Sequence, residues 1–98
     1  MGKVTYEDRL MALGIMPNRK GFYYLVELLE IYKPFESQQK LYELVAEKYK
    51  TEPNNVEHCA RQAIKSTGIK VSGRPIRVKE FVSKYKMLWD KGVVDNDK

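Results

Sequence analysis

The amino-acid sequence predicts an all-α fold, a compact bundle of about five to six helices containing a helix-turn-helix. Three observations carry that expectation. Apolar residues recur through most of the chain at the spacing that lines one face of a helix. Long apolar/polar alternation is absent, as are Asn-Gly and Asp-Gly hairpin turns, so strand signals are weak. Glycines and prolines punctuate the apolar stretches where helices stop and start.

The first helix is expected from Tyr6 to Leu13, with Leu10 and Leu13 inward and Gly14 as its C-terminal stop. Pro17 and Asn18 follow as a turn. The next pattern, Phe22, Leu25, Val26, Leu28, Leu29 and Tyr32, stops before Pro34, whose ring disfavours helix in the preceding residue. It is apolar on more than one side and should be the central helix of the core. A third helix starts at Ser37, a good N-cap, and turns Leu41, Leu44, Val45 and Tyr49 inward as far as Lys50. After a break at Thr51-Glu52-Pro53, a fourth helix opens near Asn54 and runs to Thr67. Proline suits a first turn, where its missing N–H has no partner to lose. Gly68 closes this helix, and Ile69–Pro75 should be a loop or short extended segment. A last helix, Val78–Lys91, is expected to bury Phe81, Val82, Tyr85, Leu88 and Trp89 and to stop at Gly92. The expected organisation is one domain over residues 1–92, with the helix-turn-helix at about 37–67 and a flexible tail at 93–98.

Composition narrows the function. With 98 residues, 43% hydrophobic and 32% charged, the chain has the balance of a single globular domain. No apolar run approaches the ~18–20 residues of a membrane span, and the first residues carry no secretion signal. A lone cysteine, Cys59, fits a reducing compartment and a cytoplasmic location. One Cys and one His cannot furnish a Cys/His zinc site, and no cofactor is expected. The net charge of +5 is concentrated late in the chain. Residues 68–91 hold seven Lys/Arg against two Asp/Glu, which suggests a polyanionic partner.

The third and fourth helices carry the most specific pattern. Ala46 lies ten residues before Val56 and thirteen before Cys59, the spacing of a helix-turn-helix. The small residue lets two helices cross closely, and the two later apolar positions pin the second against the first. The glycine usual in the turn is replaced by Lys50. On the fourth helix Val56, Cys59, Ala60, Ala63 and Ile64 cover one side. The other side collects Asn54, Asn55, His58, Arg61, Gln62 and Lys65, with Glu57 at its edge. Asn and Gln suit adenine edges and Arg suits guanine, so these are base-reading side chains rather than the Glu and Lys of an ordinary solvated face. Lys50, Lys65, Lys70, Arg74, Arg77 and Lys79 are the expected phosphate contacts, which fix register on a duplex. No Gly-rich phosphate loop, Ser/His/Asp set or close carboxylate pair is present, so an enzyme is not expected. Cys59 reads as a small core hydrophobe, and the seven tyrosines read mostly as packing residues.

At this point the chain resembles the C-terminal DNA-binding domain of the sporulation initiation response regulator of endospore-forming bacteria. The likeness spans about Leu10 to Val82. Its markers are Leu13-Gly14-Ile15 followed by Lys20-Gly21-Phe22-Tyr23-Tyr24-Leu25, then Thr51 through Ile64, then Arg74-Pro75 before Glu80-Phe81-Val82. The resemblance implies a six-helix fold, a helix-turn-helix that reads a short box on double-stranded DNA, homodimers in tandem on repeated boxes, and a bacterial, nucleoid-associated location. Carried over by position, DNA contacts fall on Asn54, Asn55, Glu57, His58, Arg61 and Gln62. Only Glu57 and Arg61 keep the family's residue type. Asn54 and Asn55 stand where the family has Ser then Arg, and His58 and Gln62 where it has Arg then His, so the box read should differ. No receiver domain precedes these residues, so a regulator without one is expected. The segment before the last helix is shorter than in the family, which leaves polymerase contact out of the expectation. A dimer contact, if formed, is expected on Met87, Leu88 and Trp89.

Two rivals define what the structure must discriminate. A helical protein–protein module would use the helix-turn-helix as scaffold and would need an exposed apolar patch. An RNA-binding domain would need exposed aromatic rings for base stacking.

Overall fold

A computed structural model describes residues 5–90. Among these residues the order is α1 (Tyr6–Ala12), α2 (Lys20–Ile31), α3 (Gln38–Tyr49), α4 (Pro53–Lys65), β1 (Lys70–Val71), β2 (Arg74–Pro75) and α5 (Val78–Asp90). The expected stop at Gly92 and tail at 93–98 lie outside the described residues. The fold is the expected all-α bundle, with five helices and one small hairpin among the described residues.

Local chemistry sets each boundary. Thr5 caps α1 through its side chain, accepting from the Asp8 N–H at 3.1 Å while Asp8 reaches back to the Thr5 N–H. Gly14, at φ 98°, ends that turn in the left-handed region, and the Ile15 N–H returns to the Leu10 carbonyl at 3.0 Å. Ile15 is thereby delivered into the core, fully buried. Ser37 caps α3 as expected, accepting from the Lys40 N–H at 3.1 Å. Pro53 occupies the first turn of α4, with Glu52 at the cap position. Between α4 and α5 the short extended segment is a hairpin, pairing Lys70 with Pro75 and Val71 with Arg74. Its two-residue turn, Ser72-Gly73, has positive φ at both positions (53° and 82°), the geometry that matches strand twist.

The core is continuous across all five helices. Helix α2 is its centre, as its apolar faces predict, and α1, α3, α4 and α5 all pack against it. The α2–α4 crossing depends on Gly21. A Cβ there would meet the Cys59 carbonyl oxygen and would lie 2.8 Å from the Ala63 Cβ. Only a glycine lets the two backbones approach this closely.

Several expected core positions face solvent instead. Leu44 (42% exposed) and Tyr49 lie outward on α3, and Tyr42 and Ala46 are buried in their place. The inward arc of α3 runs through Leu41, Tyr42, Val45 and Ala46, so it is rotated from the arc that counted Leu44 and Tyr49. Leu13, Cys59 and Leu88 are half-buried at the core's edge. Tyr23 is exposed as well. Trp89 is buried against Tyr85 and Tyr6, with ring centroids 4.9 and 6.2 Å away, so it cannot belong to an exposed apolar strip with Met87. Tyr6 ties α1 to the end of α5: its hydroxyl donates to Asp90 at 2.8 Å and accepts from Lys86 at 2.9 Å.

Candidate nucleic-acid interface

Helices α3 and α4 and the turn between them form the helix-turn-helix. Ala46 and Val56, the spacing residues found in the sequence, are both buried where the helices cross. The turn does not need the usual glycine. Lys50 itself adopts the left-handed conformation (φ 56°, ψ 50°). The Thr51 N–H then reaches back to the Ala46 carbonyl at 2.9 Å, the closure normally made around glycine. The conformation costs a lysine about 1–2 kcal/mol, which the packing of Ala46 and Val56 must offset.

With Val56, Ala60, Ala63 and Ile64 buried, the opposite face of α4 presents Asn54, His58, Arg61, Gln62 and Lys65, all exposed. Arg61 sits at its middle, its guanidinium 3.3 Å from His58 Nδ1 and 3.5 Å from the Glu57 carboxylate. An exposed pair of this kind is worth about 0–1 kcal/mol, so Arg61 is held in position yet readily released to a stronger partner. Asn55 and Glu57 stand on the two flanks of α4, half-buried. Asn55 donates its amide to Thr51 Oγ1 at 2.9 Å, and its carbonyl oxygen lies 3.6 Å from Cys59 Sγ. Its side chain therefore braces the turn. Cys59 is half-buried rather than fully in the core, and its carbonyl faces Gly21.

Beside the outer face of α4 opens a cleft of about 460 Å³, shared between α4 and the start of α5. Arg61 and Lys65 line it from one side, Arg77 and Lys79 from the other, with Tyr42 and Glu57 also at its wall. Arg77, Lys79 and Lys65 are exposed and none is in an ion pair among the described residues. Burial pushes the pKa of the Tyr42 hydroxyl above its ordinary value. The tertiary fold thus brings together cations separated by up to eighteen residues in sequence. Lys70, on the hairpin, is exposed but does not line this cleft.

Arg74 is engaged within the protein. Its guanidinium grips Glu80 at two points, 2.9 and 2.6 Å, and also donates to the Pro75 carbonyl at 3.2 Å. Glu80 in turn accepts from the Arg77 N–H at 2.9 Å. The Arg74 hydrogen bonds, with the Arg77 N–H second, hold the Glu80 carboxyl at about 2 against an ordinary 4.5. This pair locks the hairpin to the first turn of α5 and sets where Arg77 and Lys79 project. The fork joins the Arg74-Pro75 and Glu80-Phe81-Val82 markers across six residues, a contact that the sequence spacing does not reveal. Lys20 and Tyr23, which are not among the contacts expected from the sequence, border a second cleft with Lys50. A basic residue three positions before a tyrosine, one helical turn away, is the available signal in the Lys20–Tyr24 marker.

Among the described residues no cluster of His, Cys, Asp and Glu could hold a metal ion, and no helix is long and apolar enough to cross a membrane. A family model described as "Sporulation initiation factor Spo0A C terminal" matches residues 6–92 of the 98-residue chain. No curated protein sequence matches it.

Proposed function

The chain belongs to the Spo0A C-terminal family, a family of DNA-binding effector domains in transcription regulation, and from that premise we propose a sequence-specific reader of double-stranded DNA. Helix α4 enters the major groove. Asn54, His58, Arg61 and Gln62 meet base edges, with Asn55 and Glu57 at the flanks of the contact. Lys50, Lys65, Lys70, Arg77 and Lys79 meet phosphates, while Arg74 acts by positioning the start of α5. The observation that carries the reading is the exposed strip of α4: five polar side chains able to donate or accept, opposite a fully apolar core face.

Exposed apolar side chains exist, above all Phe35 (97% exposed) and Met87, but none lies on that strip. A protein module using the helix-turn-helix only as scaffold would leave the strip without a purpose.

The test is fluorescence anisotropy on a random-sequence duplex pool across a salt series, followed by selection of a preferred site. On that site Arg61→Ala should cost about 1–3 kcal/mol and relax base preference, while Lys79→Ala should weaken all sequences alike. Equal binding by wild type and both variants would refute the docking of α4 in the groove.

A further inference from the structure

The outer strip of α4 is bordered on both sides, not one. Asn55 and Glu57 straddle the buried Val56, and at 100° per residue they project from opposite flanks of the helix. Glu57 lies on the wall of the Arg61–Lys79 cleft. Asn55 bonds to Thr51, which lies on the wall of a different cleft, about 300 Å³, lined by Lys20, Tyr23, Tyr24, Tyr49, Lys50 and Thr51. This second cleft joins the first turn of α2 to the helix-turn-helix turn.

We propose that this second cleft grips the phosphate backbone of one DNA strand while the Arg61–Lys79 cleft grips the other, so that α4 is held in the major groove from both sides. The inference rests on the reading of α4 as the groove-entering helix.

Its chemistry is that of a phosphate site. Lys20 and Lys50 are exposed at its rim, and neither is in an ion pair among the described residues. Tyr23, 46% exposed, offers a hydroxyl beside them. The negative charges of Glu27 and Glu30 act on the Tyr49 hydroxyl from the α2 side. Glu27 is already paired with Lys48 at 2.6 Å, while Glu30 and Glu52, the latter next to Thr51 in the chain, are exposed. The left-handed backbone at Lys50 also gains a reason. A glycine there would close the same turn without strain, but only a residue with a side chain places a cation at the turn. Dimensions agree: α4 rises about 15 Å from Asn55 to Lys65, comparable to the ~12 Å width of the major groove. Cations at the two ends of the helix, on opposite flanks, can therefore reach the two backbones that border one groove.

The experiment compares wild type, Lys20→Gln/Lys50→Gln and Lys65→Gln/Lys79→Gln by anisotropy across a salt series, first on the duplex pool and then on a selected site. Glutamine keeps a polar side chain one atom shorter and removes charge, and all four positions are exposed, so melting curves serve as the folding control. Each double variant should flatten the slope of log affinity against log salt by about 1.8, two phosphates at ~0.9 each. On the selected site, methylphosphonates on one strand should affect one variant less than wild type, and those on the other strand the other variant. Tyr23→Phe should weaken binding without altering the slope.

If Lys20→Gln/Lys50→Gln binds with wild-type affinity and slope while the other variant is impaired, the second grip is refuted and the DNA reading stands. Both variants losing sensitivity to the same strand would refute the two-strand arrangement. Absence of salt-dependent duplex binding by wild type would remove the DNA reading and this inference together.

Discussion

Replacing Gly21 with alanine tests the close approach of α2 to α4. In an open helix the change would stabilise by about 0.8–1.0 kcal/mol, because glycine is a poor helix former. Here the new methyl would fall on the Cys59 carbonyl oxygen, 2.9 Å from its carbon and 2.8 Å from the Ala63 Cβ. Ordinary carbon contacts are about 3.5–4.0 Å, so α2 and α4 must separate by about 1 Å. The obstacle is backbone and cannot rotate away. Overpacking costs about 1–3 kcal/mol, and the upper end applies, leaving a net loss of about 2 kcal/mol after the propensity gain. A domain of this size loses about 4–8 °C per kcal/mol, so the melting midpoint should fall by about 8–16 °C. Thermal unfolding followed by circular dichroism at 222 nm (the helix band) reads this directly. Because α4 is the helix displaced, duplex affinity should also fall at temperatures where Gly21→Ala is still folded. A midpoint equal to or above wild type would refute the argument, since it would mean that the propensity gain met no opposing contact.

Three further outcomes are expected. Lys50→Gly should raise stability by about 1 kcal/mol by relieving the left-handed lysine, while weakening duplex binding; stability and affinity moving together would contradict one of the two roles given to Lys50. The depressed pKa of Glu80 makes its stabilising contribution complete above its unfolded value near 4.5 and lost as pH falls toward about 2. Glu80→Gln should therefore lower the melting midpoint at neutral pH and flatten its fall between those values, and identical acid limbs would show that the Arg74 fork contributes nothing. Leu41→Ala should cost about 2–5 kcal/mol as a core truncation, whereas Leu44→Ala should stay within about 0.5 kcal/mol as a surface change; comparable losses in denaturant melts would restore Leu44 to the core.

The local rules written in the sequence determined the elements and their ends. Ser37 and Pro53 start helices, Gly14 ends one, and the apolar periodicity of α2 and α4 marks both as core helices, because caps, φ restrictions and helical spacing act within a few residues. The spacing of Ala46 and Val56 was enough to locate the helix-turn-helix, and the polar face of α4 was legible from the 3.6-residue period alone. The tertiary structure decided everything that depends on distant residues. It rotated α3 so that Tyr42 is buried and Leu44 is not. It spent Arg74 on Glu80, turned Asn55 toward Thr51, and joined Arg61 and Lys65 to Arg77 and Lys79 in one cleft. Most tellingly, it explained Gly21, whose reason lies in a carbonyl thirty-eight residues away. Charge and periodicity show which side chains a helix offers to solvent, but which of them remain unpaired and which converge is set only when helices pack.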